Sequence, residues 1–346
     1  QRAMKIIVDP RNNILYSSFY IKGLWDRYGG GNVSFSLKPF KDIPGNRKSW
    51  CTYDQYMAYV IKDGKSVKRV IIDYWDCIPI NKEAYEWCDV YAKINISKDT
   101  KMEDYPKLLS IPAGYGIRIW SFPKTIFHFV SNVFKSHFHF LNGLKIFLYA
   151  YLVQLKRFTL EEYLSPVERK DRYVFHASTL WMHDTSLTGV DQHRAVFIRT
   201  CRQIPNINFE GELICKITPV PKEFEDVVSN RRYSMNEYME KTKQSMFVFN
   251  SPAVHNCHGW KFGEYLTMGK ALITTPIVNR LPFAFEDGEN CIIVHNQDEL
   301  VVAIKRLCED EALRKGLEQS SMKLFEEYVC PVKVIDAIER KLGSLK

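Results

Sequence analysis

The chain has 346 residues, 46% of them hydrophobic and 25% charged, with a formal net charge of +8. That length suits two domains of roughly 100–200 residues, and the composition excludes disordered tails, low-complexity tracts, solenoid repeats and any apolar run of the roughly 18–20 residues a membrane span needs. The nine cysteines are odd in number, irregularly spaced and without a Cys-x-x-Cys pair, which excludes a disulfide scaffold and reads as reduced thiols in a cytoplasmic protein.

Gln1-Arg2-Ala3 reads as an added leader before a native start at Met4. No signal peptide is expected, because Lys5–Val8 is a short strand that ends at Asp9. Asp9-Pro10-Arg11-Asn12-Asn13 is a polar loop. Ile14, Leu15, Phe19, Ile21, Leu24 and Trp25 then recur at helical spacing up to Tyr28. Gly29-Gly30-Gly31 stops this helix and Val33–Leu37 begins another strand. Strand, loop, helix, strand is how a Rossmann-type sheet starts, and its ligands lie beyond the carboxyl ends of the strands. Arg11 and Asn12 are therefore candidates for acceptor contact, and equally the makings of a solvated turn. The loop has no Gly-x-Gly-x-x-Gly, so no dinucleotide site is expected there.

Tyr56–Ile61 and Val67–Asp73 flank Asp63-Gly64, a hairpin signal. Asp73 and Asp76 close the second run, and Asp9 closes the first strand of the chain. A carboxylate in such a place is a candidate general base for an acceptor hydroxyl, or the cap of the next turn. Asn81–Cys88 reads as a helix and Val90–Ile94 as a strand. Ile111–Ile117 carries two glycines and Tyr115, and suits close approach of a ligand to backbone, with Tyr115 a candidate acceptor contact.

From Tyr105 to Leu160 there is no Asp or Glu, against seven Lys or Arg and thirteen aromatic residues. Two helices are expected, near Lys124–Lys135 and Leu141–Arg157, forming a basic aromatic region over 122–158. Such a surface suits the headgroup zone of an anionic membrane or a lipid-linked acceptor. It also suits an aromatic core with a solvated basic rim. No nucleic-acid motif accompanies the charge, so nucleic acid is not an expected partner.

Glu161 to Arg172 reads as a linker, which gives domains at 4–165 and 166–330 and a C-terminal helix over 331–346. Tyr173–His176 starts a second sheet, followed by Ala177–Trp181 as loop, and His176 reads as a core histidine. Gly189–Cys201 is helical and carries Arg194 and Arg199. Phe209–Ile217 is a strand interrupted by Gly211. Ser234 and Glu237 form a capping box. After Val294, helices are expected at Gln297–Leu307, Glu311–Tyr328 and Val332–Leu342.

The most informative stretch is Phe247–Val294. Phe247–Phe249 and Ala271–Thr274 are buried-strand runs around a glycine-punctuated loop and a short helix expected at Glu264–Gly269, a βαβ unit. A glycine loop entering a helix N-terminus presents free N–H groups and a positive dipole end, which favours phosphate. Lys261 adds charge, and Glu264, expected in the first turn, either holds a ribose diol or complements the dipole. Cys257-His258 lacks the neighbours that a metal site needs.

The order Gly259-Trp260-Lys261-Phe262-Gly263-Glu264, then Met268-Gly269-Lys270, a buried strand and Asp287-Gly288-Glu289-Asn290, resembles the nucleotide-sugar site of group 1 glycosyltransferases of the GT-B type. The resemblance covers about residues 170–335. It implies an α/β chain of two Rossmann-like domains with a deep cleft between them. It places Glu264 on the donor ribose and Gly259, Lys261, Phe262 and Gly263 near the diphosphate, with His258 a further donor-binding candidate. The family's Arg and Lys for the diphosphate have no exact counterparts, and Arg194, Arg199 and Lys216 stand in for them. Many retaining members carry a second Glu where this chain has Asn256, so the stereochemistry stays open.

The implied activity is transfer of a hexosyl or deoxyhexosyl group from a UDP- or GDP-sugar to a glycan or lipid-linked saccharide in polysaccharide biosynthesis. No metal or other cofactor is expected, since helix, N–H groups and Lys261 carry the neutralising charge. The expected location is the cytoplasm, peripheral at the inner face of the membrane. A sugar-nucleotide epimerase, a non-catalytic nucleotide or sugar binder and a membrane-surface module are the alternatives.

Overall fold

The computed structural model describes residues 4–43, 55–137, 143–181, 189–215 and 219–345. It divides into two compact α/β units. The first comprises Gln1–Glu162, Arg280–Pro282 and Glu326–Lys346, the second Tyr163–Asn279 and Phe283–Phe325.

In the first unit, β1 (Lys5–Val8) leads through the polar loop into α1 (Ile14–Tyr28). Asn13 caps α1, its side chain accepting from the Leu15 N–H, and Gly29 ends it at φ 79°. β2 (Val33–Phe35) pairs parallel to β1. β3 (Tyr56–Asp63) and β4 (Ser66–Asp73) form the expected hairpin about Gly64. Joined by so short a turn, they can pair only antiparallel. β3 then inserts between β1 and β4, antiparallel to both. With α2 (Lys82–Trp87), β5 (Val90–Lys93) and β6 (Leu108–Ser110), the sheet runs β2-β1-β3-β4-β5-β6. It is mixed: β3 is antiparallel to both of its neighbours, and the other pairings are parallel.

The basic aromatic region folds as α3 (Phe122–Lys135) and α4 (Leu144–Leu155). The C-terminal helix Pro331–Ser344 packs against α1, with Arg27 on Glu339 at 2.7 Å and on Asp336 at 3.1 Å. Their backbones meet at Gly23, where a Cβ would stand 2.4 Å from the Pro331 carbonyl oxygen, so only glycine fits.

Following the short α5 (Leu160–Leu164), the second unit contains β7 (Tyr173–Thr179), α6 (Val190–Gln203), β8 (Asn208–Ile214), β9 (Val228–Ser229), α7 (Met235–Gln244) and β10 (Val248–Asn250). α8 (Trp260–Thr267), β11 (Leu272–Thr274), β12 (Ile292–Ile293), α9 (Gln297–Glu309) and α10 (Glu311–Leu324) complete it. All pairings are parallel, in the orders β7-β8-β9 and β10-β11-β12. The Met246 N–H donates to the Tyr173 carbonyl at 2.8 Å and sets β10 beside β7. Strand order is therefore that of a Rossmann sheet, reversing between β7 and β10. Gly211 does not interrupt β8, which runs through it in register with β7; at φ 149° it lies against His176, whose carbonyl oxygen a Cβ would approach to 1.9 Å. The Ser234–Glu237 capping box is formed. Val174, Phe197, Phe249, Ile273, Ile304 and Leu307 build the core between sheet and helices.

β7 extends to Thr179, so Ala177–Thr179 is strand and not the expected loop. The helix expected from Glu264 begins four residues earlier, at Trp260, with Gly259 as its N-cap.

Candidate functional site

The point of strand-order reversal in the second unit is where an open α/β sheet takes its ligand. Two cations converge there on the carboxyl end of β7. Arg194, from α6, is buried; its Nη1 donates to the Thr179 carbonyl at 3.0 Å and its Nε to Ser251 Oγ, just past β10, at 3.1 Å. It thus bridges the two strands between which the order reverses. Lys261, from α8, donates from Nζ to the Ala177 carbonyl and stands 5.4 Å from the Tyr238 ring centre. Burial, with Arg194 nearby and Glu264 opposing, pushes the Lys261 ammonium down to about 7. Arg194 is lowered by burial and held up by Asp191, 3.8 Å away.

His176 lies under this pair, buried, its Nε2 3.0 Å from Ser178 Oγ. Burial drives its pKa well below the usual value, and the two cations add to the effect, so the ring is neutral. Its Nδ1 has no hydrogen-bond partner among the described residues, so the core histidine is only half satisfied.

The loop from β10 to α8 borders a small open recess lined by Asn250, Ser251, Asn256, Cys257, His258, Gly259, Phe262 and Ile277 among others. His255 and Asn256 both hold left-handed backbone, at φ 56° and 60°. Such backbone costs on the order of 1–3 kcal/mol per residue and collects at ligand sites. Asn279 Nδ2 donates to the Asn256 carbonyl at 3.1 Å and the Ala253 N–H to that of Cys257 at 2.8 Å, which holds the loop open beside the helix end. Gly259 has no side chain with which to cap α8, so the recess adjoins an N-terminus fit for an anion.

Glu264 is in the second turn of α8, a correction to its expected first-turn place, so dipole complementation does not explain it. It is buried, and Oε1 accepts from the Tyr163 hydroxyl at 2.9 Å. Gly263 is inside the helix and not in a loop, Phe262 is buried against Phe285, and His258 stacks on Phe262. Arg199 does not join the group: it lies on another face of α6 and grips Asp226 at 2.7 Å. Lys216 lies outside the described residues.

The first unit corrects several expectations. Asp9 is buried and clamped by Arg11, with Nε to Oδ1 at 3.0 Å and Nη2 to Oδ2 at 2.8 Å. Arg11 Nη2 also donates to the Phe40 carbonyl at 2.9 Å, while Asn12 ties the Asp9 carbonyl and Ser17. These side chains brace the β1–α1 loop: the buried Asp9 carboxylate is committed to three hydrogen bonds from Arg11, and the Arg11 fork to Asp9 and Phe40, so neither is presented to an acceptor. Asp73 is enclosed likewise, accepting from Lys93 Nζ at 2.8 Å and the Tyr91 hydroxyl at 2.6 Å. Burial pushes its carboxyl above the usual range, against the pull of Lys93 and Tyr91. Tyr115 is core, tilted on Phe19 at 5.0 Å, and Gly114 makes room for Tyr20 and not for a ligand. Among the three candidate bases, Asp76 is exposed.

Sequence reasoning missed Ser251, the β7 carbonyls of Ala177 and Thr179, Tyr163 and the left-handed pair at 255–256. Asn256 tolerates φ > 0, and Ser251-Pro252 after a strand marks a turn; both were legible signals. The eight described cysteines are free thiols, and no group of three or more metal-ligating side chains occurs among the described residues.

No protein-family model matches the chain, and no curated protein sequence matches it. Several solved structures are similar at low identity. The C-terminal domain of a glycosyl transferase group 1 family protein, LpcC from Francisella tularensis, is 16% identical over 46% of this chain and 86% of that domain, with a TM-score of 0.34. Anabaena HepE, solved with UDP-glucose, is 13% identical over 76% of this chain and 66% of its own, at a TM-score of 0.41. The pneumococcal O-GlcNAc transferase GtfA, solved with UDP and GlcNAc, is 12% identical over 75% and 46%, at 0.40. The chain thus spans less than half of GtfA, as it does of TarM, where it covers 44%.

Proposed function

We propose that the chain is a GT-B-type glycosyltransferase whose second unit holds a nucleoside-diphosphate sugar, UDP- or GDP-linked. One observation carries the reading: Arg194 and Lys261 meet at the strand-order reversal, beside the uncapped N-terminus of α8 and its polar recess. Two cations and a helix end supply charge where a diphosphate leaving group would build it. Glu264, already aligned by Tyr163, is offered to the ribose, and the loop at Asn256 to the sugar. The transferred group is a hexosyl or deoxyhexosyl residue, and the acceptor a glycan or lipid-linked saccharide of polysaccharide biosynthesis. The site of action is the cytoplasm at the inner face of the membrane. With charge supplied by side chains and helix, transfer proceeds without a metal.

A second reading, a sugar-nucleotide binder without turnover, is favoured by the closed pairs Asp9–Arg11 and Asp73–Lys93, which leave Asp76 as the candidate base with an exposed side chain. A thermal-shift screen against UDP, GDP, CMP and dTDP and their sugars, with and without EDTA, tests both. A shift by one nucleoside diphosphate that survives EDTA is expected. No shift with any of them defeats the donor site, and binding without hydrolysis or transfer selects the second reading.

A further inference from the structure

α3 keeps polar side chains on its inward face beside one aromatic ring. Thr125 and Asn132 are buried there, Asn132 Nδ2 donating to the Tyr151 hydroxyl at 2.8 Å, His128 stacks on Trp120 at 4.2 Å, and Phe129 packs against Phe147 and Tyr151. Its outward positions are apolar. Phe127 is 66% exposed, Val130 44% and Phe134 60%, at spacings of three and four that put them on one face. Lys124 and Lys135 are exposed at the edges of that stripe, and α4 exposes Lys145, Tyr149, Leu152 and Lys156 along one face of its own. Scattered exposed apolar residues need no explanation, but an aligned aromatic stripe with a cationic rim does.

We infer that the outward faces of α3 and α4 dock on an anionic lipid bilayer, with Phe127, Val130 and Phe134 entering the headgroup–acyl boundary and the lysines contacting lipid phosphates. Charge complementarity selects this occupant. No Asp or Glu occurs between Tyr105 and Leu160, and of the two acids that follow, Glu161 lies 3.8 Å from Lys22 and Glu162 is engaged by Arg118 at 3.0 Å. A cationic, apolar helix face is what an anionic interface binds. No helix of the described residues is long and apolar enough to cross a membrane, so the chain lies on the surface. This goes beyond the sugar-transfer reading and rests on it only for the side of the membrane.

The test is co-sedimentation with vesicles of phosphatidylcholine alone or with 30 mol% phosphatidylglycerol, roughly the anionic content at which surface charge draws basic segments, without nucleotide, so that its outcome is separate from that of the donor site. Binding is expected only to the anionic vesicles and should weaken with salt. Phe127→Ser with Val130→Ser should lower partitioning about tenfold or more. Lys124→Gln with Lys135→Gln should lower it roughly fivefold per lysine and flatten the salt dependence. Circular dichroism confirms that each exposed-face variant folds. Absence of binding to anionic vesicles, or equal binding by the serine variant, overturns the inference. So does a concentration-dependent dimer, seen by sedimentation velocity, that the serine substitutions abolish, since the stripe would then be a protein interface.

Discussion

Lys261 makes ligand binding a titration. With its ammonium pushed down to about 7 by burial and by Arg194, the free protein holds a largely neutral amine above neutrality. A diphosphate placed beside it restores the proton, because an opposite charge within a few ångströms favours the charged form. The sign follows. Below about 7 the ammonium is already charged and binding takes up no proton. Above 7 the ligand must draw one in, so affinity falls by as much as tenfold per pH unit, 1.36 kcal/mol each, towards the ordinary lysine value. At pH 8 a group with its midpoint at about 7 is roughly nine-tenths deprotonated, so binding should take up close to one proton. Titration calorimetry with the nucleoside diphosphate found in the screen, run in two buffers of different ionisation enthalpy from pH 6.5 to 9, reads this directly. Lys261→Arg, charged throughout, should bind without proton uptake and without the slope. Flat affinity across that range in the parent protein, or the same slope in Lys261→Arg, refutes the placement of Lys261 at the phosphates.

Replacing Asp73 by Asn leaves Lys93 buried without its carboxylate. From the fully enclosed 2.8 Å pair, urea unfolding should show a loss of about 3–5 kcal/mol, and a loss below about 1 kcal/mol would show that Asp73 is not the internal counter-ion. Glu264→Ala removes an aligned carboxylate, so nucleoside-diphosphate affinity by calorimetry should weaken by about 1–3 kcal/mol; unchanged affinity removes Glu264 from the ribose.

The second unit was the legible one because its signals are local. Phe247–Phe249, Ala271–Thr274 and the glycines between them spell one βαβ unit within thirty residues, and parallel pairing follows from that connection alone. In the first unit the hairpin at Gly64 was just as plain, but its place was not. Whether β3 lies at an edge or between β1 and β4 depends on pairing across some fifty residues of chain, which no local pattern records. β6 and β9, at three residues and two, are too short to leave a periodic trace. The error at α8 has a different origin. The sequence offers Gly259 and Gly263 as equal stops, and only the N-cap geometry at Gly259 puts Gly263 inside the helix.

The same contrast explains which site residues could be read. Arg194 and Arg199 are five residues apart on one helix, roughly 140° around it, so they could never have served one ligand together. The fate of the carboxylates could not be read from the sequence, since Asp9 finds Arg11 and Asp73 finds Lys93 through loop closure and strand pairing. Together these pairs divide the charges of the molecule into two kinds. In the first unit each buried cation is matched by a hydrogen-bonded carboxylate, so neither has charge to offer. At the reversal point of the second unit, Arg194 and Lys261 are hydrogen-bonded by the carbonyls of Thr179 and Ala177, with Asp191 3.8 Å from Arg194 and Glu264 opposing the shift of Lys261 as partial counter-charges. Two neighbouring buried cations only partly compensated in charge are costly to maintain. Anion binding gives that cost a use, and burial keeps solvent from competing for the ligand's charge.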